Sequence, residues 1–350
     1  MIRRNVITSL SLAASIALTA PAALAQDIHF TQFDAAPLVI NPAFTGMFDG
    51  QVRAAAIYRN QWASVTVPYV TYGASVDMPL YVDRNGDYLA GGIQLYKDQA
   101  GDGNLSNFTG LLSLAYHKTF GLSETRHSDL AVGLQGGYAQ TSIDLSKLYF
   151  GDEYLNGTFV PGTSQEYHLG LGNSVNYYLV NAGVSFSQST SDKFGYVIGV
   201  AANNINQPNN DIEQKASNTD LLAMRFTGEI GANWLVGERL SLRPAVLYQS
   251  QATANEIVAG NEFHYQVGEP GYQDFSTAVF LGAWYRTGDA VAITAGVEFK
   301  GFRIGVAYDY IVSSLNAASN GIGGIEIAIK YIAPTPLKFA NKRTVPCSRF

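Results

Sequence analysis

The chain has 350 residues, 47% of them hydrophobic and 12% aromatic but only 14% charged, and 22 basic against 28 acidic residues give a net charge of −6. That balance excludes a basic nucleic-acid binder, and 35 Gly, 21 Tyr and 18 Phe exclude a disordered chain or a coiled coil. A single cysteine, Cys347, excludes an intramolecular disulfide framework and a multi-cysteine zinc site.

Residues Met1 to Ala25 read as a secretory signal. Arg3 and Arg4 form the positive region, Val6 to Leu18 the apolar core, and Ala23-Leu24-Ala25 a small-x-small cleavage site. The mature chain is expected to begin at Gln26, with 20 basic against 28 acidic residues. No cysteine follows the cleavage site to carry a lipid anchor. Past the signal, no stretch approaches the roughly 18 consecutive apolar residues of a spanning helix.

The segment Gln26 to Gly50 carries Phe30, Phe33, Leu38, Ile40 and Phe44 around Pro37 and Pro42. It has no strand periodicity and is expected to be an ordered irregular segment that plugs or lines the strand-rich region after it. From about 51 to 332 the dominant pattern is alternation with period two, which sends successive side chains to opposite faces of a sheet. About fourteen segments approach the nine to eleven residues that a tilted spanning strand requires. They are 51–60, 68–78, 88–97, 105–119, 129–142, 177–187, 193–205, 221–235, 239–250, 255–266, 277–287, 290–299, 301–312 and 322–332. Turn clusters such as Arg84-Asn85-Gly86-Asp87, Gly288-Asp289 and Lys300-Gly301 join several of them. The long connections 143–176 and 206–220 fall on one side, taken as extracellular, while 267–276 falls on the other. The tail 333–350, with Pro334, Pro336, Lys338, Lys342, Arg343 and Arg349, cannot be a spanning strand and is expected in the periplasm.

The identity of the polar face selects the architecture. In Phe302 to Val312, Phe302, Ile304, Val306, Tyr308 and Tyr310 share one face, and Arg303, Gly305, Ala307 and Asp309 the other. Gly324 to Tyr331 divides in the same way. A soluble sandwich would wet a face rich in Lys, Glu and Asp, whereas here that face is crowded with Gly, Ala, Thr and Asn. Small residues with sparse charges of both signs suit the lumen of a closed barrel. Aromatics near strand ends, including Tyr58 and Trp62, Tyr177 and Tyr178, Tyr248, Trp284 and Tyr285, and Tyr308 and Tyr310, fit two interfacial girdles. The expected fold is all-β: a transmembrane antiparallel barrel of about fourteen strands in a bacterial outer membrane, an even count placing both termini in the periplasm.

Catalytic chemistry is not evident. Histidines 29, 117, 127, 168 and 264 lack the short spacing that puts two ligands on one metal. No G-x-S-x-G elbow occurs, although a membrane-embedded hydrolase does not need one. Asp83-Arg84-Asn85-Gly86-Asp87 has the carboxylate spacing of a calcium loop, but its glycine comes too early and Gln94 stands where the bidentate Glu belongs. No catalytic residue, metal site or cofactor is expected. The polar-face charges Arg225 with Glu229, Arg303 with Asp309, and Glu298, Lys300, Glu326 and Lys330 are read either as a selective aqueous pore or as mutually compensating charges in a filled barrel.

Several motifs together resemble the PorP/SprF family of the type IX secretion system of Bacteroidetes. They begin with Phe30-Thr31-Gln32-Phe33, Asn41-Pro42-Ala43-Phe44-Thr45-Gly46 and Tyr58-Arg59-Asn60-Gln61-Trp62. Asp98-Gln99-Ala100-Gly101, Asn204-Ile205-Asn206-Gln207-Pro208, Gly282-Ala283-Trp284-Tyr285-Arg286, Tyr308-Asp309-Tyr310 and Gly324-Ile325-Glu326-Ile327 come next, in the family's order. The end departs from the family's Cys-Pro-Arg-Phe, being Cys347-Ser348-Arg349-Phe350 with the proline ahead of the cysteine. The resemblance implies a non-enzymatic accessory of secretion and gliding. Its implied partners are a secreted adhesin-type cargo, periplasmic peptidoglycan-associated components and outer-membrane lipid. It makes Asn41, Pro42, Gly46, Arg59, Gln61, Trp62, Cys347, Arg349 and Phe350 the family-motif and partner candidates. A small-solute porin or transporter is the alternative.

Overall fold

A computed structural model describes residues 28–121, 127–155, 157–165, 173–191, 193–212, 221–267 and 277–334. Fourteen antiparallel strands close into a barrel. They are β1 (Val52–Gln61), β2 (Tyr69–Val82), β3 (Tyr88–Ala100), β4 (Leu105–Phe120), β5 (His127–Ser142), β8 (Ser174–Ser191) and β9 (Phe194–Asn203). The ring continues with β10 (Arg225–Leu235), β11 (Leu240–Gln251), β12 (Ala254–Gln266), β13 (Ala278–Arg286), β14 (Ala290–Phe299), β15 (Phe302–Ile311) and β16 (Ile322–Ala333). Two short strands, β6 (Tyr154–Leu155) and β7 (Thr158–Phe159), form a separate hairpin in the loop after β5. The seam closes where β1 pairs with β16, from Val52 opposite Ala333 to Gln61 opposite Gly324. No sheet edge is left to a hydrocarbon phase that could not satisfy it.

Burial on this barrel is inverted relative to a soluble protein. Ile325, Ile327 and Ile329 are 51%, 43% and 43% exposed, whereas Glu326 and Lys330 on the same strand are 1% and 6% exposed. The apolar parity therefore faces outward, toward lipid, and the polar parity faces the lumen, as in an outer-membrane-type barrel. This decides between barrel and sandwich. No described helix is long and apolar enough to cross a membrane.

The predicted strands agree in number and order with the observed ones, with local differences. Residues 221–224 precede β10 because the Leu222 amide donates to Pro208 O in the preceding loop. Trp284 is not a girdle residue. Its parity is that of Phe280 and Gly282, and its ring packs inward, edge-on to Phe33 with centroids 5.1 Å apart. Lys300 is not a lumen charge either: it sits at φ +47° in the exposed turn between β14 and β15, its ammonium 5.1 Å from the Phe299 ring centroid. Alternation ends where the chain turns, so parity does not carry over to it.

The barrel has a loop end, bearing the connections after β1, β3, β5, β9, β11, β13 and β15, and a turn end, where residues 51 and 333 lie side by side. Residues 28–50 contribute much of the buried apolar surface, including Phe30, Phe33, Leu38, Ile40, Phe44, Met47 and Phe48.

Candidate functional site: the lumen and its inner segment

Hydrogen bonds from residues 28–50 reach strands all round the ring, a pattern open only to a segment inside it. The segment forms three short helical turns, Phe33–Ala35, Pro37–Ile40 and Pro42–Phe44. Proline starts the latter two, where a missing N–H costs nothing. Asn41 caps the third, its Oδ1 accepting from the Ala43 amide at 2.9 Å. Its Nδ2 donates to Val184 O at 3.2 Å, Val200 O at 3.3 Å and Glu229 Oε1 at 2.7 Å, joining the segment to β8, β9 and β10.

Toward the loop end, Glu326 accepts from the Thr31 amide at 2.7 Å and the Gln32 amide at 2.9 Å, and Thr31 Oγ1 donates to Asp309 at 2.7 Å. Arg59 Nη1 donates to His29 O at 2.5 Å and lies 3.1 Å from Glu326. Arg59 Nη2 meets Asp309 at 3.2 Å, and Arg286 also donates to that carboxylate. Arg225 donates to Ile28 O and Val39 O.

Toward the turn end, Arg303 pairs with Glu262 and Glu298 at 2.5 Å each and with Asp34 at 3.2 Å. Arg243 and His264 complete that cluster around Glu298, and Lys330 Nζ donates to Asp34 O at 3.1 Å. Across the seam, on β1 and β2, Arg53 holds Asp77 through two bonds of 2.9 and 2.8 Å and donates to Phe44 O, while Asp77 accepts from the Gly46 amide at 2.6 Å. His117 lies between acceptors, Nδ1 at 2.9 Å from Asp129 Oδ1 and Nε2 at 2.8 Å from Thr45 O. Tyr88 stacks on it at 4.1 Å.

The lumen charges are compensated across strands and by the inner segment, not along single strands. Arg225 binds carbonyls of the inner segment, not Glu229, and Arg303 binds Glu262, Glu298 and Asp34, not Asp309. Residues four or six apart on one strand stand roughly 13 to 20 Å apart, so charges meet across strands or through the inner segment instead. Sequence reading missed Arg53, Asp77, His117, Asp129, Arg243, Glu262 and Arg286. A signal was available: each lies at the lumen parity of its strand.

The motif candidates divide by location. Asn41, Pro42, Gly46, Arg59 and Gln61 are buried in the barrel, with Gly46 at φ +77°. Trp62 is half-buried at the loop end of β1 at φ +59°, edge-on to Tyr69 at 5.0 Å. Cys347, Arg349 and Phe350 lie outside the described residues. Asp83 is used locally, its Oδ1 accepting from the Asn85 and Asp87 amides at 2.8 and 2.9 Å in a plain turn. Among the described residues no cluster of three His, Cys, Asp or Glu could hold a metal ion.

The segment that fills the lumen and the walls that hold it are spanned by one family model, that of the type IX secretion system membrane protein PorP/SprF, matching residues 22–331. The chain belongs to the PorP/SprF family. No curated protein matches it. The solved structures similar to this PorP/SprF barrel include the toluene transporter TbuX of Ralstonia pickettii, at 12% identity over 85% of this chain and 92% of that one, with a TM-score of 0.44. They also include the toluene transporter TodX of Pseudomonas putida, at 11% identity over 87% and 94%, with a TM-score of 0.44. In the PorP/SprF chain the N-terminal motifs are internal fastenings: Asn41 and Gly46 bond to the wall, and Arg59 is the wall's grip on the segment.

Proposed function

We propose that this PorP/SprF barrel is a non-enzymatic accessory of type IX secretion and gliding. In this reading it sits in the outer membrane, with the loop end at the cell surface, and aids export or surface anchoring of an adhesin-type protein cargo. The observation that carries the reading, beside family membership, is the occupied lumen: residues 28–50 are tied to β1, β2, β4, β8, β9, β10, β15 and β16 by buried and part-buried polar contacts. A solute conduit needs a continuous water path, which a segment fixed in this way obstructs. A docking scaffold needs only a rigid rim. The connections 143–173 and 204–224 would then meet cargo, and the tail beyond Pro334, with Cys347, Arg349 and Phe350, would meet peptidoglycan-associated components.

Affinity purification of the tagged protein from its native envelope in mild detergent, followed by mass spectrometry, tests this. Recovery of a large surface protein or a peptidoglycan-binding secretion component is expected. A clean, partnerless barrel overturns the reading in favour of a porin.

A further inference from the structure

The inner segment has a direction, and it runs opposite to what an even strand count suggests for the amino terminus. Val52 and Ala333 pair at the turn end, so the barrel proper begins and ends on one side. Followed backward from Val52, the chain bonds near that end through Phe44 O to Arg53 and through the Gly46 amide to Asp77. It rises to Asn41 beside Val184, Val200 and Glu229, midway along β8 to β10, and returns to Asp34 beside Arg303 and Lys330. It then climbs the full lumen. Thr31 meets Asp309, the eighth of ten residues in β15, and His29 O meets Arg59, the eighth of ten in β1. Ile28 O accepts from Arg225, which opens β10 at the loop end.

Ile28 is also part of the wall of a cavity of about 90 Å³, whose other walls include Asp98 near the end of β3, Asn107 near the start of β4, Asn204 just past β9 and Gln251 at the end of β11. All of these stand at the loop-end rim.

We infer that the processed amino terminus of this protein lies in this loop-end vestibule, on the opposite side of the membrane from the point where Ala333 leaves the barrel. The inference rests on cleavage after Ala25, which leaves only Gln26 and Asp27 ahead of Ile28. Two residues span at most about 7 Å. The ten residues of β1 rise about 33 Å along the strand, or about 23 Å along the axis at a 45° tilt. The terminus cannot return to the turn end over that distance.

Site-directed thiol labelling in the native bacterium tests this. In a Cys347→Ser background, three single-thiol chains are compared using a membrane-impermeant maleimide. One carries a Gly-Ser-Cys-Gly-Ser insertion between Gln26 and Asp27, one Tyr149→Cys at the loop end and one Arg84→Cys at the turn end. Heat-dependent gel mobility confirms each folded barrel, and sequencing of the amino terminus confirms cleavage, so failure of the signal reading is distinguished from failure of the topology. The inserted thiol is expected to react under the same conditions as Tyr149→Cys. Reaction together with Arg84→Cys, or only after unfolding, overturns the inference.

Discussion

Asn41 and Glu229, separated by 188 positions, meet inside the barrel with Nδ2 donating to Oε1 at 2.7 Å. Glu229 is 2% exposed, and its second oxygen has no hydrogen-bond partner among the described residues. The wall has been cleared for this contact: a Cβ on Gly183 would sit 2.0 Å from Asn41 Oδ1, and one on Gly199 would sit 1.9 Å from Glu229 Oε1. Asn41→Ala strips the carboxyl of its donor and removes the cap of the Pro42–Phe44 turn, with an expected loss of about 2–4 kcal/mol. Asn41→Asp sets a second carboxyl against Glu229 and costs more. Urea unfolding of the lipid-reconstituted barrel measures both, and equal stability of Asn41→Asp and wild type would refute the contact's role.

Arg53 and Asp77 are each 1% exposed and share two hydrogen bonds while fastening Phe44 O and the Gly46 amide. Removing either charge alone strands the other, so Arg53→Met and Asp77→Leu are each expected to destabilise by about 3–5 kcal/mol. The double variant leaves no unpaired charge and is expected to be more stable than the sum of the singles implies. A double-mutant cycle in urea reads this coupling, and additivity within about 0.5 kcal/mol would show the pair to be independent.

The barrel was legible because lipid and lumen impose opposite chemistry on alternating residues, and that rule is local. Ile325-Glu326-Ile327 states it in three positions. The lumen's connections were not legible in this way. Thr31 meets Glu326 across 295 positions, and nothing local to either residue names the other. The inner segment has no period of its own, since its turns are fixed by Pro37, Pro42 and the wall. Arg303 shows the limit most clearly. Its parity marked it as a lumen charge, but its partners stand on β12, β14 and the inner segment, a matter of barrel closure that one strand's sequence does not contain.

At the turn end, Asp87 accepts from Lys118 Nζ at 2.5 Å and from the Thr119 amide at 2.9 Å. Burial pushes its carboxyl upward, but the Lys118 and Thr119 hydrogen bonds outweigh that and hold it below the ordinary carboxylate value. A lowered folded-state value means that the contribution to stability is fully present above the unfolded value of about 4 and is lost as pH falls through the folded one. Asp87→Asn is therefore expected to lower stability at neutral pH and to flatten the acid-side decline below about pH 4. Thermal unfolding in detergent across that range checks it, and a variant with the wild-type acid profile would contradict it.

Conductance separates scaffold from channel most directly. Wild-type protein in planar bilayers is expected to show no steady single-channel current, because Asn41, Asp34 and the amides of Thr31, Gln32 and Gly46 are held by the wall along the whole lumen. Excision of residues 28–50 behind an intact leader removes that filling but none of the fourteen strands or their pairings. The shortened chain is expected to be less stable, since Trp284, Val258 and Ile57 lose apolar cover. The ladder still closes between β1 and β16, so the folded fraction should conduct ions. Because the lumen charges Arg53, Arg59, Asp77, Asp309 and Glu326 then face water, its current should respond to salt and pH. Steady current through the wild-type protein would instead mean that the inner segment leaves a water path, and would return the porin reading to first place.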